Sequence, residues 1–282
     1  MPELPEVETV ARSLRPLVVG WTIVDAAVGP HHLRAPLDGT ALAALRGHRV
    51  GAIDRIGKYL LFRLEPPQGS APRLLLSHLG MTGRYEVRPR DAEAATHTHV
   101  RVDLQQGAAH QQLRYIDPRR FGCVVVHDRP AADIPELQAL GPDPLSAAFT
   151  AAYFTAALRQ TERPLKSALL DQGLVAGLGN IYVVESLHQA RLLPERRASS
   201  LRKADAQRLH QVIIEVLEAA VLRRGTTLAD GGYVDAAGQA GDNAAHLHVY
   251  AREGQPCHRC RKTIQRVVQA QRSTFFCPGC QR

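Results

Sequence analysis

The sequence predicts an α+β chain of several domains. One helix leads into a β-rich N-terminal part, a helical middle follows, and a metal-stapled hairpin closes the chain. Three observations carry this. Apolar residues recur at helical spacing at the start and again after residue 147, whereas residues 21–127 show short β-like runs separated by turn signals. Four cysteines near the end form two Cys-x-x-Cys pairs, Cys257/Cys260 and Cys277/Cys280, with sixteen residues between them. A length of 282 residues suits two domains plus a small module.

Residues 5–19 read as a helix, with Val7, Val10, Ala11, Leu14, Leu17 and Val18 on one face. Pro5 suits its first turn, Glu6 and Glu8 suit the positive end of its dipole, and Gly20 ends it. The runs 59–62, 74–76 and 123–126 read as strands of a sandwich or barrel, and Cys123 in the last of them as an inert core thiol. The segment 129–146 holds four prolines and reads as a linker. Helical patterns cover 147–159, 164–172, 180–190 and 204–223. Two of them flank the glycine-bearing turn 173–179, as in a helix–turn–helix unit. Glycines there let a backbone approach phosphate, and Asn180 at the next helix start suits either a cap or a phosphate contact. Residues 225–248, rich in Gly, Ala and Asp, read as a mobile loop.

The two cysteine pairs supply the four soft thiolates of a tetrahedral Zn²⁺ site. Around them stand Arg252, Arg259, Arg261, Lys262, Arg266, Arg272 and Arg282 against the single acid Glu253, so most of the chain's net charge of +8 lies in this tail. A polyanion is the expected partner. No run approaches the ~20 apolar residues of a membrane span. The acidic, proline-bearing N-terminus is unlike a signal peptide. The expected setting is therefore the reducing cytoplasm, where paired thiols bind metal rather than form disulfides.

Pro2 follows the initiator Met. Once Met1 is removed, the chain starts with a secondary amine, and a free α-amine with pKa ~7.7–8.0 is partly unprotonated at neutral pH. Such an amine attacks an electrophilic carbon and leaves an iminium. On a deoxyribose C1′ this acidifies the C2′ hydrogens and opens elimination. Glu3 beside it is a carboxyl able to protonate a leaving group. Taken by themselves, Pro2 and Glu3 read more simply as a plain helix start.

Taken in order, several motifs select between these readings: Met1-Pro2-Glu3-Leu4-Pro5-Glu6-Val7-Glu8-Thr9, Gly57-Lys58-Tyr59-Leu60-Leu61, Ser77-His78-Leu79-Gly80-Met81-Thr82-Gly83, Asp117-Pro118-Arg119-Arg120-Phe121-Gly122, Leu170-Asp171-Gln172 with Gly177-Leu178-Gly179-Asn180-Ile181-Tyr182, and the cysteine module. End to end, the chain resembles the bacterial formamidopyrimidine-DNA glycosylases of base-excision repair. The resemblance implies an N-terminal β-sandwich, a helix–two-turns–helix domain and a zinc finger, with damaged double-stranded DNA held in the cleft between. In this chain that places a catalytic domain at 1–130, a linker at 131–146, the helical DNA-binding domain at 147–224, a lesion-covering loop at 225–248 and the finger at 249–282. It implies a monomeric, bifunctional glycosylase and abasic-site lyase for oxidised purines, with one structural zinc.

The resemblance also assigns residues. Pro2 is the Schiff-base nucleophile, Glu3 the proton donor for base loss, and Lys58 the proton donor in β-elimination. Arg272 grips phosphates and serves δ-elimination. His78, Lys166 and Asn180 match phosphate contacts, and His97 and Arg119 match DNA-binding positions. Arg163 or Arg159 supplies a further phosphate contact. Met81, Arg119 and Phe121 match the three residues that enter the duplex when the base is flipped out. Met and Phe can fill the void, and the Arg fork suits the acceptors of an orphaned cytosine. Leu4 and that trio argue against an endonuclease VIII-like specificity for pyrimidines. Intact Pro2, Glu3 and Lys58 argue against a non-catalytic binder.

The chain departs from the family pattern in three places. Residues 241–247 lack the usual aromatic–glutamine pair, which puts the mode of 8-oxoguanine recognition in doubt. Val184 stands where aspartate is common, and Ala251 where glycine is common.

Overall fold

A computed structural model describes residues 1–33, 36–69, 71–228 and 231–282. The chain forms two compact units. One holds Met1–Gln138 with Arg224–Asp242, and the other holds Ala139–Arg223 with Asn243–Arg282.

The first unit begins with α1 (Leu4–Val18), whose Leu4, Val7, Val10, Ala11, Leu14 and Val18 are buried on one face. Each buried Leu or Val among them contributes roughly 1.5–3 kcal/mol by leaving water. Strand β1 (Thr22–Val28), the short helix α2 (Gly39–Ala43), and strands β2 (Arg49–Ile56), β3 (Tyr59–Glu65), β4 (Arg73–His78), β5 (Arg84–Arg88), β6 (Thr98–Gln106), β7 (Ala109–Ile116) and β8 (Cys123–His127) follow. All strand pairs are antiparallel, in the order β5-β7-β6-β1-β2-β3-β4-β8. β1 and β2 share only the pair Thr22↔Arg49, so the ladder turns a corner there. Phe62 of β3 packs on Tyr85 of β5 with ring centroids 5.5 Å apart. In a flat sheet those strands would lie about 24 Å apart, five spacings of ~4.8 Å. The ladder is therefore folded over as a sandwich of four strands on four. Register shifts in β1, β2 and β6 are the bulges that bend it.

Segment Arg224–Asp242 is stitched onto this unit. Thr226 N donates to Glu6 Oε1 at 2.7 Å, Ala236 N donates to Ser13 Oγ at 3.0 Å, and Tyr233 Oη donates to the Glu6 carbonyl. Thr226 pairs with Asp242 at the neck of the loop. The loop expected to be free at 225–248 is thus anchored, and its residues from Asn243 onward belong to the other unit. Ala229 and Asp230 lie outside the described residues. The expected linker also carries structure, a 3-10 turn Ala131–Asp133 and helix α3 (Pro135–Gln138).

The second unit is built on α4 (Ala151–Arg159), α5 (Leu165–Leu169), α6 (Asn180–Gln189) and α7 (Lys203–Leu222), with a hairpin of β9 (Gln265–Gln269) and β10 (Arg272–Phe276). α4 starts later than its apolar pattern because Thr150 caps it, accepting from Tyr153 N. Every residue from Ile181 to His188 is buried, so α6 is the axle of this unit. No helix among the described residues is long and apolar enough to cross a membrane.

Candidate active site and nucleic-acid interface

The N-terminus of α1 carries a capping box, with Glu3 as N-cap and Glu6 three residues on. Pro2 is buried while Met1 is exposed. Glu3 is the N-cap residue and is only 3% exposed. Its N–H donates to Glu6 Oε2 at 2.8 Å, and the other Glu6 oxygen takes Thr226 N. One buried carboxylate therefore fixes the backbone at Glu3 and the late segment together.

Lys58 sits in the β2–β3 turn behind Gly57, which has φ 57°, and is buried. Arg55 clamps this turn to α1. Its Nε donates to Glu8 Oε2 at 3.0 Å and its Nη1 to the Gly57 carbonyl at 3.0 Å. With Arg55 7% exposed and Glu8 13% exposed, the ion pair is shielded from solvent. The same carboxylate of Glu8 also meets Arg12 and Arg15. Lys58 in turn acts on His78. Burial and the Lys58 charge push His78 down to about 4. Gly80 N donates to His78 Nδ1 at 3.0 Å, so the ring is neutral with its proton on Nε2.

The motifs 77–83 and 117–122 form a single platform. A Cβ on Gly80 would come within 2.5 Å of Gly122 N, and one on Gly122 would overlap Tyr115 Oη. Only glycine allows this approach. Asp117 locks it, accepting from Thr82 Oγ1 at 2.6 Å and from Gly122 N at 2.8 Å, while Arg119 N donates to Thr82 Oγ1. From this base Met81 and Phe121 project into solvent, 36% and 45% exposed. The Arg119 guanidinium lies 5.0 Å from the Phe121 ring centre, a cation–π contact. Both apolar side chains would ordinarily be core residues, and the platform holds them out. His97 lies at φ 66°, and its carbonyl accepts from Asp117 N.

In the second unit, the two turns before α6 are braced by Gln172. Its Nε2 donates to the Leu170 and Leu178 carbonyls, and its Oε1 accepts from Gly177 N. Lys166, Asn180 and Arg272 come together there. Lys166 Nζ donates to the Arg272 and Ser273 carbonyls and to Thr274 Oγ1. Asn180 Nδ2 donates to the Ser273 carbonyl at 2.9 Å. Lys166 and Asn180 thus hold the strand that carries exposed Arg272. Burial, then the Arg272 charge, lowers Lys166 to about 8. Arg163 pairs with Asp171 at 2.7 Å, and Arg159 is exposed.

The four cysteine sulfurs lie within 4.8 Å of one another. Cys257 and Cys280 are 3.8 Å apart, and Cys260 and Cys277 are 3.3 Å apart. A tetrahedron with Zn–S of ~2.3 Å needs sulfurs about 3.8 Å apart, and disulfide sulfurs would be ~2.05 Å apart. The donor set and its spacing fit one structural zinc. Glu185, buried in α6, accepts from the N–H groups of His248, Val249 and Tyr250 and so seats the finger's approach segment.

Glu6, Glu8, Arg55 and Glu185 carry this architecture and stand outside the set of site residues chosen from the sequence. Glu6 and Glu8 read there as helix-dipole acids. Their partners are far along the chain, so no local pattern reports them.

A buried carboxyl at the start of α1, exposed apolar side chains on a rigid platform and a basic cysteine finger are features of a nucleic-acid-binding protein. Residues 1–124 match the formamidopyrimidine-DNA glycosylase N-terminal domain, residues 140–230 its H2TH domain, and residues 254–282 the zinc finger found in FPG and IleRS. The formamidopyrimidine-DNA glycosylase of Geobacillus kaustophilus is 44% identical over all of both chains. The crystal structure of the MutM (Fpg) protein from Thermus thermophilus aligns with a TM-score of 0.86 and 42% identity, covering 99% of this chain and 98% of that one. The Lactococcus lactis Fpg in complex with DNA containing an abasic site gives 0.88 and 35%, covering 99% of both chains. The chain belongs to the formamidopyrimidine-DNA glycosylase family.

Proposed function

We propose that this chain is a monomeric, bifunctional DNA glycosylase and abasic-site lyase that removes oxidised purines, 8-oxoguanine and formamidopyrimidines, from duplex DNA. The observation that carries the reading is the buried Pro2–Glu3 start of α1, joined by the Glu8–Arg55 clamp to the turn that bears Lys58. Lactococcus lactis Fpg, a relative over the whole chain, is described in complex with DNA containing Fapy-dG and with abasic-site DNA.

After removal of Met1, the Pro2 nitrogen attacks C1′ of the damaged nucleotide. The N–C bond forms as the glycosidic bond breaks, and the sugar ring opens to an iminium. The Glu3 carboxyl supplies the proton that accompanies base loss. The iminium acidifies the C2′ hydrogens. Loss of one of them expels the 3′ phosphate, with Lys58 supplying the proton. A second elimination expels the 5′ phosphate, with Arg272 holding the phosphate charge.

Met81 and Phe121 fill the space left by the flipped nucleotide, and Arg119 hydrogen-bonds the orphaned base. His78, His97 and Arg163 supply the contacts to the backbone, and Lys166 and Asn180, whose donors go to β10, hold the strand that presents Arg272 to it. His78 does so as a neutral donor. Cys257, Cys260, Cys277 and Cys280 hold the zinc, which keeps the hairpin folded.

Borohydride trapping on duplexes with 8-oxoguanine opposite cytosine, and separately with an abasic site, tests the reading. A covalent adduct on both, abolished by blocking the N-terminal amine, is expected. An adduct on the abasic site alone keeps the lyase and removes the purine assignment. No adduct on either, with zinc bound and DNA bound, overturns the enzyme.

A further inference from the structure

At the far end of α6 from Asn180, the second unit holds a cavity with an unusual charge. Arg191, Arg196, Arg202, Arg208, Arg259 and Arg282 line it around a single side-chain carboxylate, Asp205, in about 490 Å³ of space. Four chain segments build it. The backbone at Arg282 is paired on both sides, its N–H donating to the Arg191 carbonyl and its carbonyl accepting from Leu193 N. Gln281 Nε2 donates to the Leu192 carbonyl at 2.8 Å. These bonds fix the backbone of two of the four segments, 191–193 and 281–282.

Asp205 is 3% exposed and already engaged. It accepts from Arg202 and Arg208, with Arg196 at 3.8 Å. The Arg202 hydrogen bond, more than any other contact, holds its carboxyl below the usual range. The Asp205 carboxylate and the thiolate cluster that reaches the lining through Cys260 and Cys280 together carry less negative charge than the six guanidinium groups carry positive, so the cavity keeps a net positive field that attracts anions. Arginine's planar fork matches phosphate oxygens two at a time.

We propose that this cavity is a second phosphate site, which takes the backbone of a DNA segment other than the one carrying the lesion. The proposal rests on the DNA-binding reading above. α6 has ten residues, so Arg191 beyond its end is about 15 Å from Asn180 at its start, and Lys166 and Arg272 lie at the Asn180 end. Leu192 is the only large apolar side chain in the lining, and no aromatic side chain is present. A peptide would need apolar pockets and a free nucleotide a surface for its ring. A phosphodiester backbone needs only charge and N–H donors.

The test uses the full zinc-loaded chain, saturated with a duplex bearing a tetrahydrofuran abasic analogue and then titrated with a fluorescent undamaged duplex. A salt-dependent ternary complex is expected. The variant Arg191→Asn/Arg202→Gln should weaken the second duplex at least tenfold and lower its salt slope by about 1 to 2, leaving the first duplex within twofold. Arg191 has φ 58°, a conformation Asn tolerates. Arg202 is 80% exposed, and Arg196 and Arg208 remain to pair Asp205. Zinc content and thermal midpoint confirm folding, and Arg202→Glu alone should act in the same direction. Absence of the ternary complex, its persistence in the variants, or its displacement by polyglutamate at equal charge would each overturn the proposal. Failure of the first duplex to bind would instead overturn the DNA reading beneath it.

Discussion

His78 is neutral near physiological pH because burial, then the Lys58 charge, pushes it down to about 4. Its folded value lies below the ordinary ~6.5. Between those two values the unfolded chain binds the extra proton, so stability falls as pH drops from about 6.5 to 4. Thermal midpoints measured from pH 7 to pH 4.5 should fall less steeply in His78→Gln than in the parent. Lys166 behaves oppositely in function. Its value of about 8 keeps it charged at neutral pH, and the charge is lost above that. DNA affinity should fall by up to about tenfold between pH 7 and pH 9, and Lys166→Arg should flatten the profile. Gly122→Ala would drive its Cβ into Tyr115 Oη. It should cost about 1–3 kcal/mol of stability by overpacking and displace Phe121, which differential calorimetry and a wedge-dependent 2-aminopurine signal would read.

The hairpin turn between β9 and β10 is an element with visible strain. Ala270 and Gln271 both lie in the left-handed region, with φ 48° and 62°, where two-residue hairpins prefer Asn-Gly. Ala270→Asn with Gln271→Gly should stabilise the second unit by about 1 kcal/mol, seen as a higher denaturant midpoint. Removing the metal acts on the same element. Lys166 and Asn180 use β10 backbone as their acceptors, so chelation of zinc should release the hairpin and unseat both residues. Loss of DNA binding should track zinc release, measured by a metallochromic dye. α1 is held at its own scale by Glu6. Replacing it by Gln leaves one N–H donor facing an amide N–H₂, for a cost of about 1–3 kcal/mol.

For the whole molecule, the longer helices were legible because their periodicity is local, and α1 and α7 lie within a residue or so of their expected bounds, whereas the short α2 and α3 carry too few residues for a pattern. The zinc site was legible because ligand spacing is a sequence property. The corner between β1 and β2, the glycine-fused platform and the arginine cavity were not, since each joins residues distant in the chain. Neither was the anchoring of Arg224–Asp242, whose composition resembles a free loop and whose partners lie in α1. That last feature reaches into the cell's timetable. Glu6 and Thr226 are 220 residues apart, so the first unit cannot be completed when its sandwich leaves the ribosome. At ~5–20 residues per second, the 104 residues from Gln138 to Asp242 take about 5–20 s to follow. During that interval the helices of residues 139–223 are synthesised while the first unit is still unfinished. The brace on the start of α1 arrives only when most of the chain has been made, so a translation product truncated before Thr226 lacks that end of the brace.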